Sequence, residues 1–210
     1  MNKFFTLLIL TFSLQVFAQN DAKTLLNEVS NKVKGYGNIS LEFKYVLENT
    51  AENIKQETKG DVVMAGNKYR LNILGITQLF DGAKLYSIST EDEEVTVSSD
   101  DDENETIAPS KMLSFYEDGY TYKLDITQDI KGRKIQYVKL TPIDSNSEIK
   151  ELFLGIDAQT KHIYNLIQVG INGTKTTLTV NSFETNQPLP KGLFTFDASK
   201  YKDYYINNLD

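Results

Sequence analysis

The sequence predicts a mainly β (α+β) protein: an incomplete antiparallel β-barrel, a half-barrel of about 10–11 strands with short helices covering its concave side. Three observations carry that expectation. From residue 39 onward apolar residues recur with a period of two, the spacing of a strand with one buried face. Turn pairs separate consecutive runs: Gly66-Asn67, Asp81-Gly82, Lys131-Gly132 and Asn172-Gly173. Asp-Gly and Asn-Gly supply the positive φ that tight hairpins need, so neighbouring runs should pair antiparallel. A sheet of ten or more strands is too wide to stay flat and should curl.

The chain opens with Asn2-Lys3 and an almost continuously apolar run from Thr6 to Phe17, closed by Val16-Phe17-Ala18. The run is too short for a membrane span, and small residues fall at the −3 and −1 positions of a processing site. Residues 1–18 therefore read as a cleaved signal peptide and 19–210 as a single exported domain. Next, Ala22, Leu25, Leu26, Val29 and Val33 form the apolar stripe of a helix over 21–34. Asp21 can cap it, Lys34 suits its C-terminal dipole, and Gly35 ends it.

Ile39, Leu41, Phe43, Tyr45 and Leu47 then alternate with a mostly polar set. Similar runs follow at roughly 55–65, 68–74, 76–81, 84–90, 94–98, 120–127, 134–141, 148–157, 161–170, 174–184 and 193–197. Pro109 and Gly119 bracket a second short helix over 109–118, preceded by the acidic loop 99–106.

Composition excludes several classes of function. With no cysteine there are no disulfides, thiolate metal ligands or lipidated cysteine. Loss of Lys3 with the leader takes the net charge from −7 to −8, which disfavours nucleic acid and anionic membrane surfaces. Asp100, Asp102 and Asn104 imitate the start of a calcium loop, but Glu105 stands where glycine is required and Lys111 where the closing glutamate belongs. The one histidine, His162, reads as a strand residue, because a zinc site needs three or four ligands. No nucleophile elbow, P-loop or dinucleotide glycine pattern occurs, so no catalytic residue, cofactor or metal is expected. Several strands are apolar on both faces, "YRLNILGI" and "HIYNLIQVGI" among them, which fits either a filled core or a greasy cavity.

The order of these features resembles the periplasmic outer-membrane lipoprotein carrier (LolA-like) family. The likeness covers nearly the whole mature chain: "LEFKYVLEN", then "GDVVMAGNKYRLNI", "QLFDGAKLYSIS", "PSKMLSFYEDG" and a meander ending in "GLFTFDAS". Gly60 through Arg70 matches the family's glycine-to-K-[FY]-R step with a slightly longer spacing; Asp81-Gly82 and Phe194-Thr195-Phe196 match two further motifs. Ala65-Gly66-Asn67 and Leu71 replace the proline and tryptophan often found there, and the tail "DASKYKDYYINNLD" lacks the usual Pro-Gly step.

The resemblance implies a hydrophobic cavity for acyl chains under a lid formed by residues 21–34 and 109–118. It assigns Arg70 the role of holding the empty lid shut, and an arginine fork can bond several lid carbonyls at once. From period alone Arg70 reads as a solvated residue of the wet face. Leu41, Phe43, Leu71, Ile73, Leu79, Leu85, Leu113 and Phe115 are the candidate acyl contacts. The implied protein is a monomeric, non-enzymatic chaperone in the periplasm of a Gram-negative bacterium. It would take acylated lipoproteins from an inner-membrane release complex to an outer-membrane acceptor. A carrier of another amphiphile, such as a glycolipid, and a filled envelope scaffold or adaptor are the rival readings.

Overall fold

The computed structural model describes residues 21–99, 116 and 118–209. Among the described residues are one α-helix over residues 21–34 (α1) and twelve strands. These are β1 (Ile39–Asn49), β2 (Ile54–Ala65), β3 (Lys68–Ile73), β4 (Ile76–Phe80), β5 (Lys84–Ser89) and β6 (Glu94–Ser99). There follow β7 (Tyr120–Ile130), β8 (Arg133–Pro142), β9 (Ile149–Asp157), β10 (Ile163–Gly170), β11 (Lys175–Thr185) and β12 (Tyr205–Asn208). They form one open sheet in the order β12-β6-β5-β4-β3-β2-β1-β11-β10-β9-β8-β7. The mainly β, non-closed sheet agrees with the expectation. The expected leader 1–18, most of the acidic loop 99–106 and the expected helix 109–118 except Tyr116 and Asp118 lie outside the described residues.

Two expected elements differ. Residues 193–197 are not a strand; the last strand is Tyr205–Asn208, and it runs parallel to β6. Pro188, Pro190 and the positive φ of Gly192 turn the chain ahead of Phe194, so Phe196 finds burial by ring stacking instead of strand pairing. His162 lies in the turn before β10 rather than within the strand.

The chain divides into two compact units. The first comprises residues up to Gly35, Leu47–Lys55 and Tyr116–Leu178. Its α1 buries Ala22, Leu26 and Val29, positions spaced three and four apart, as the stripe requires. Ion pairing of Lys161 with Glu28 at 2.8 Å ties α1 to the β9–β10 turn. In β8 and β9 the register pairs Val138 with Leu154 and Leu140 with Leu152, all fully or almost fully buried. Each such side chain contributes about 1.5–3 kcal/mol of transfer free energy.

The opposite face of the same strands is also occupied. Arg133 donates from Nε to buried Asp157 at 2.7 Å and lies 5.2 Å from the centre of the Tyr164 ring. Burial alone would raise the Asp157 carboxyl, but the Thr160 and Gln159 amides and the Arg133 guanidinium outweigh it and hold the pKa at about 2.

The second unit comprises Tyr36–Val46, Gln56–Phe115 and Thr179–Asp210. Its β2–β6 form an antiparallel meander whose pairing runs without a register shift from Gly60 to Ser99. The C-terminal tail closes on β5 and β6 through an aromatic stack. Tyr86 stacks on Phe196 at 4.4 Å, Phe196 on Tyr201 at 5.3 Å, and Tyr204 meets Tyr201 edge-on at 5.2 Å. These rings cover Ile88, Val95 and Val97.

Candidate apolar face and hollow

The strand register of the second unit decides which expected residues act together. Met64, Tyr69, Phe80 and Leu85 stand opposite one another across β2–β5; Val62 pairs with Leu71, and Gly60 with Ile73. Side chains alternate along each strand, so these residues share one face. Phe43 joins it: a Cβ on Gly60 would come within 2.6 Å of the Phe43 ring and 2.7 Å of the Asn72 carbonyl. Glycine is required there because the ring lies directly against the backbone. Alternation along β1 places Leu41 beside Phe43. Leu41, Phe43, Val62, Met64, Tyr69 and Phe80 are buried, while Leu71, Ile73 and Leu85 are half-buried.

Arg70 lies on the other face, between Val63 of β2 and Leu79 of β4. It is half-buried, and Leu79 beside it is almost wholly buried. The candidate residues therefore fall into two groups. Leu41, Phe43, Leu71, Ile73 and Leu85 share one face, whereas Leu79 sits with Arg70 on the opposite one. Leu113 and Phe115 lie outside the described residues.

A hollow of about 640 Å³ opens at the end of β1–β3, where Leu41, Phe43 and Ile73 meet Asp61, Asn72 and Leu74. Asn72 donates from Nδ2 to Asp61 at 2.8 Å, and the Thr77 hydroxyl donates to Asn72 Oδ1 at 2.8 Å. That chain fixes a polar rim beside the apolar strand face. Sequence reading missed the rim because it depends on the Asp61–Asn72 and Asn72–Thr77 register. It also passed over Val62, Met64, Tyr69 and Phe80 as site residues, although alternation within "DVVMA" and "KYRLNI" was a usable signal for the first three.

Among the described residues no group of three or more histidines, aspartates or glutamates could hold a metal ion. His162, half-buried and near Lys32, has its pKa lowered first by burial and then by that lysine's charge. Among the described residues no helix is long and apolar enough to cross a membrane.

The family model for the outer membrane lipoprotein carrier protein LolA matches residues 34–197, well over half of the sequence. The chain belongs to the LolA family. Two family relatives, both outer-membrane lipoprotein carrier proteins of Legionella pneumophila, span nearly the same length. The Corby-strain protein is 24% identical over 214 residues, covering 97% of this chain and 98% of its own. The Paris-strain protein is 25% identical over 209 residues with the same coverage. In fold the chain is similar to an uncharacterized conserved protein from Thermus thermophilus, with a TM-score of 0.58 at 10% identity. That likeness covers 90% of this chain and 99% of the other.

Proposed function

We propose that the chain is a periplasmic carrier that shelters the acyl chains of lipoproteins and delivers them to the outer membrane. The observation that carries this reading is the run of apolar side chains from Leu41 and Phe43 through Val62, Met64, Tyr69 and Phe80 to Leu85, on a face that Gln78 and Ser87 share, in a chain of the LolA family. Moving an acyl chain through water is a solubility problem. Each methylene sheltered is worth ~0.8 kcal/mol, so one long chain presents roughly 10 kcal/mol to be masked. A sheet face of this width can supply such shelter without any reaction, and release then needs only a small difference between loaded and empty states.

On this reading residues 19–210 act as one carrier domain and as a monomer. Leu71, Ile73 and Leu85, which are half-buried, are the members of the face free to meet an acyl chain. Leu41 and Phe43 form its floor, and Leu79 stands beside Arg70 on the opposite face, where a lid held by Arg70, with Leu113 and Phe115, would rest. Arg70 holds the lid in the empty state. A release complex in the inner membrane would load the carrier and an outer-membrane acceptor would unload it.

The test is the affinity of the mature chain, residues 19–210, for a triacylated lipopeptide against its unacylated twin. Acyl-dependent binding that changes on Arg70→Leu is expected. Equal weak binding to both peptides would overturn the lipoprotein reading and leave a carrier of another amphiphile or an envelope scaffold.

A further inference from the structure

The turn joining β9 to β10 is fixed by its own hydrogen bonds and tied to α1 by charge. Asp157 closes it: Oδ1 accepts from the Gln159 and Thr160 amides at 2.9 and 2.8 Å. The Asp157 carbonyl accepts from the Lys161 amide at 2.8 Å, and the Asp157 amide donates to the His162 carbonyl at 3.0 Å. From outside the turn, the Lys134 carbonyl of β8 accepts from the Ala158 amide at 2.8 Å. Lys161 has a left-handed backbone, φ +58°, and its Nζ reaches Glu28 of α1 at 2.8 Å. The backbone on either side of His162 is thus held in place against the helix.

His162, half-buried, ends this turn and is the chain's only histidine. Charged groups approach it from every side. Lys32 acts on it from α1, where Glu28 stands one turn earlier. Asp157 and Lys161 belong to the turn itself; Arg133, with Tyr164 beside it, and Lys134 come from the start of β8. Both carboxylates are already engaged, Glu28 by Lys161 and Asp157 by Arg133 and two amides. The C-terminal end of a helix favours a cation, but Lys32 and Lys34 already occupy the last turn of α1. A proton on the imidazole therefore adds charge where cations are in excess. Burial and then the Lys32 charge hold the imidazole below its ordinary 6.5, whereas Asp157, at about 2, stays ionised throughout that range. Docked α1 favours the neutral ring, so its hold is complete well above pH 6.5 and is lost as pH falls below that value.

We propose that His162 is an acid-sensitive latch whose protonation loosens α1 from the β9–β10 turn. Under the carrier reading the loosened helix belongs to the lid, so acid favours opening. The latch itself concerns only the docking of α1 and stands whatever the cargo.

The experiment is hydrogen exchange of the α1 amides in residues 19–210 against pH, corrected for intrinsic rates, beside an NMR titration of the single histidine ring. Each like-charged neighbour weakens an equilibrium about twofold, so protection of Leu26 and Val29 should fall roughly two- to tenfold between about pH 8 and about pH 5. The midpoint of that loss should coincide with the titration of the ring, a comparison read on the wild type alone. Amides of Val138 and Leu154, paired within the sheet, should keep their protection. His162→Gln should abolish the step, and Lys32→Gln should shrink it and move the ring's midpoint upward. Unchanged α1 protection across the range, a midpoint apart from that of the ring, a step that survives His162→Gln, or an equal loss at Val138 and Leu154 would each overturn the proposal.

Discussion

Two hairpins of this molecule are closed by almost the same backbone and end in opposite chemistry. In the second unit Leu74-Gly75 turns at φ +53° and +79°; in the first, Lys131-Gly132 turns at +55° and +79°. The lysine turn has the usual supports of a solvated hairpin. The Gly132 amide donates to Asp129 Oδ1 at 2.9 Å, and the next residue, Arg133, is anchored on Asp157. The leucine turn has an uncharged stretch and an exposed apolar tip instead. Since the geometry is shared, the turn itself does not ask for leucine.

Asp157→Asn would break the comparison most strongly, by removing the anchor of the lysine hairpin alone. It removes the carboxylate shared by the half-exposed Arg133 and the Thr160 and Gln159 amides and should cost about 2 kcal/mol in chemical denaturation. The pH dependence has a definite sign. The folded pKa of about 2 lies below the ordinary 3.8, so the contribution is fully present above about pH 4 and is lost as pH falls toward 2. An acid titration of wild-type stability should show that loss, about 2 kcal/mol, and Asp157→Asn should flatten it.

Gly75→Ala and Gly132→Ala test whether the two turns are conformationally equivalent. A Cβ at either position meets open space, so only the positive φ is penalised. Each substitution should cost about 1–2 kcal/mol, and the two costs should agree. Unequal losses would show that one turn carries additional strain. The smallest effect is expected of Lys131→Leu, which gives the first hairpin the leucine of the second. At an exposed position with the turn backbone unchanged, it should alter stability by no more than about 0.5 kcal/mol in chemical denaturation, and a larger loss would show that the lysine itself supports this turn.

Much of this fold was legible from residue order because strands and turns are short-range signals. Alternation placed β1–β11 to within a few residues, and the apolar stripe placed α1. The expectation failed at 193–197, where the Phe-x-Phe pattern looks like a strand but is diverted to side-chain stacking. It missed β12 because "YINN" is short, polar and paired in parallel with a distant strand. Parallel pairing of remote segments leaves no local pattern to read.

The candidate site shows the same division. The sequence by itself determined the family, the run of apolar residues along each strand, and the position of Arg70 on the face opposite Tyr69 and Leu71, because alternation within one strand is local. Which strands share a face was decided only by tertiary structure. Register put Leu79 with Arg70 and away from Leu71, joined Asp61 to Asn72 and Thr77, and left Leu74 exposed at the end of its hairpin. The physical reason is that a one-residue slip between paired strands would move every side chain to the other face, and only the packed sheet selects among such registers.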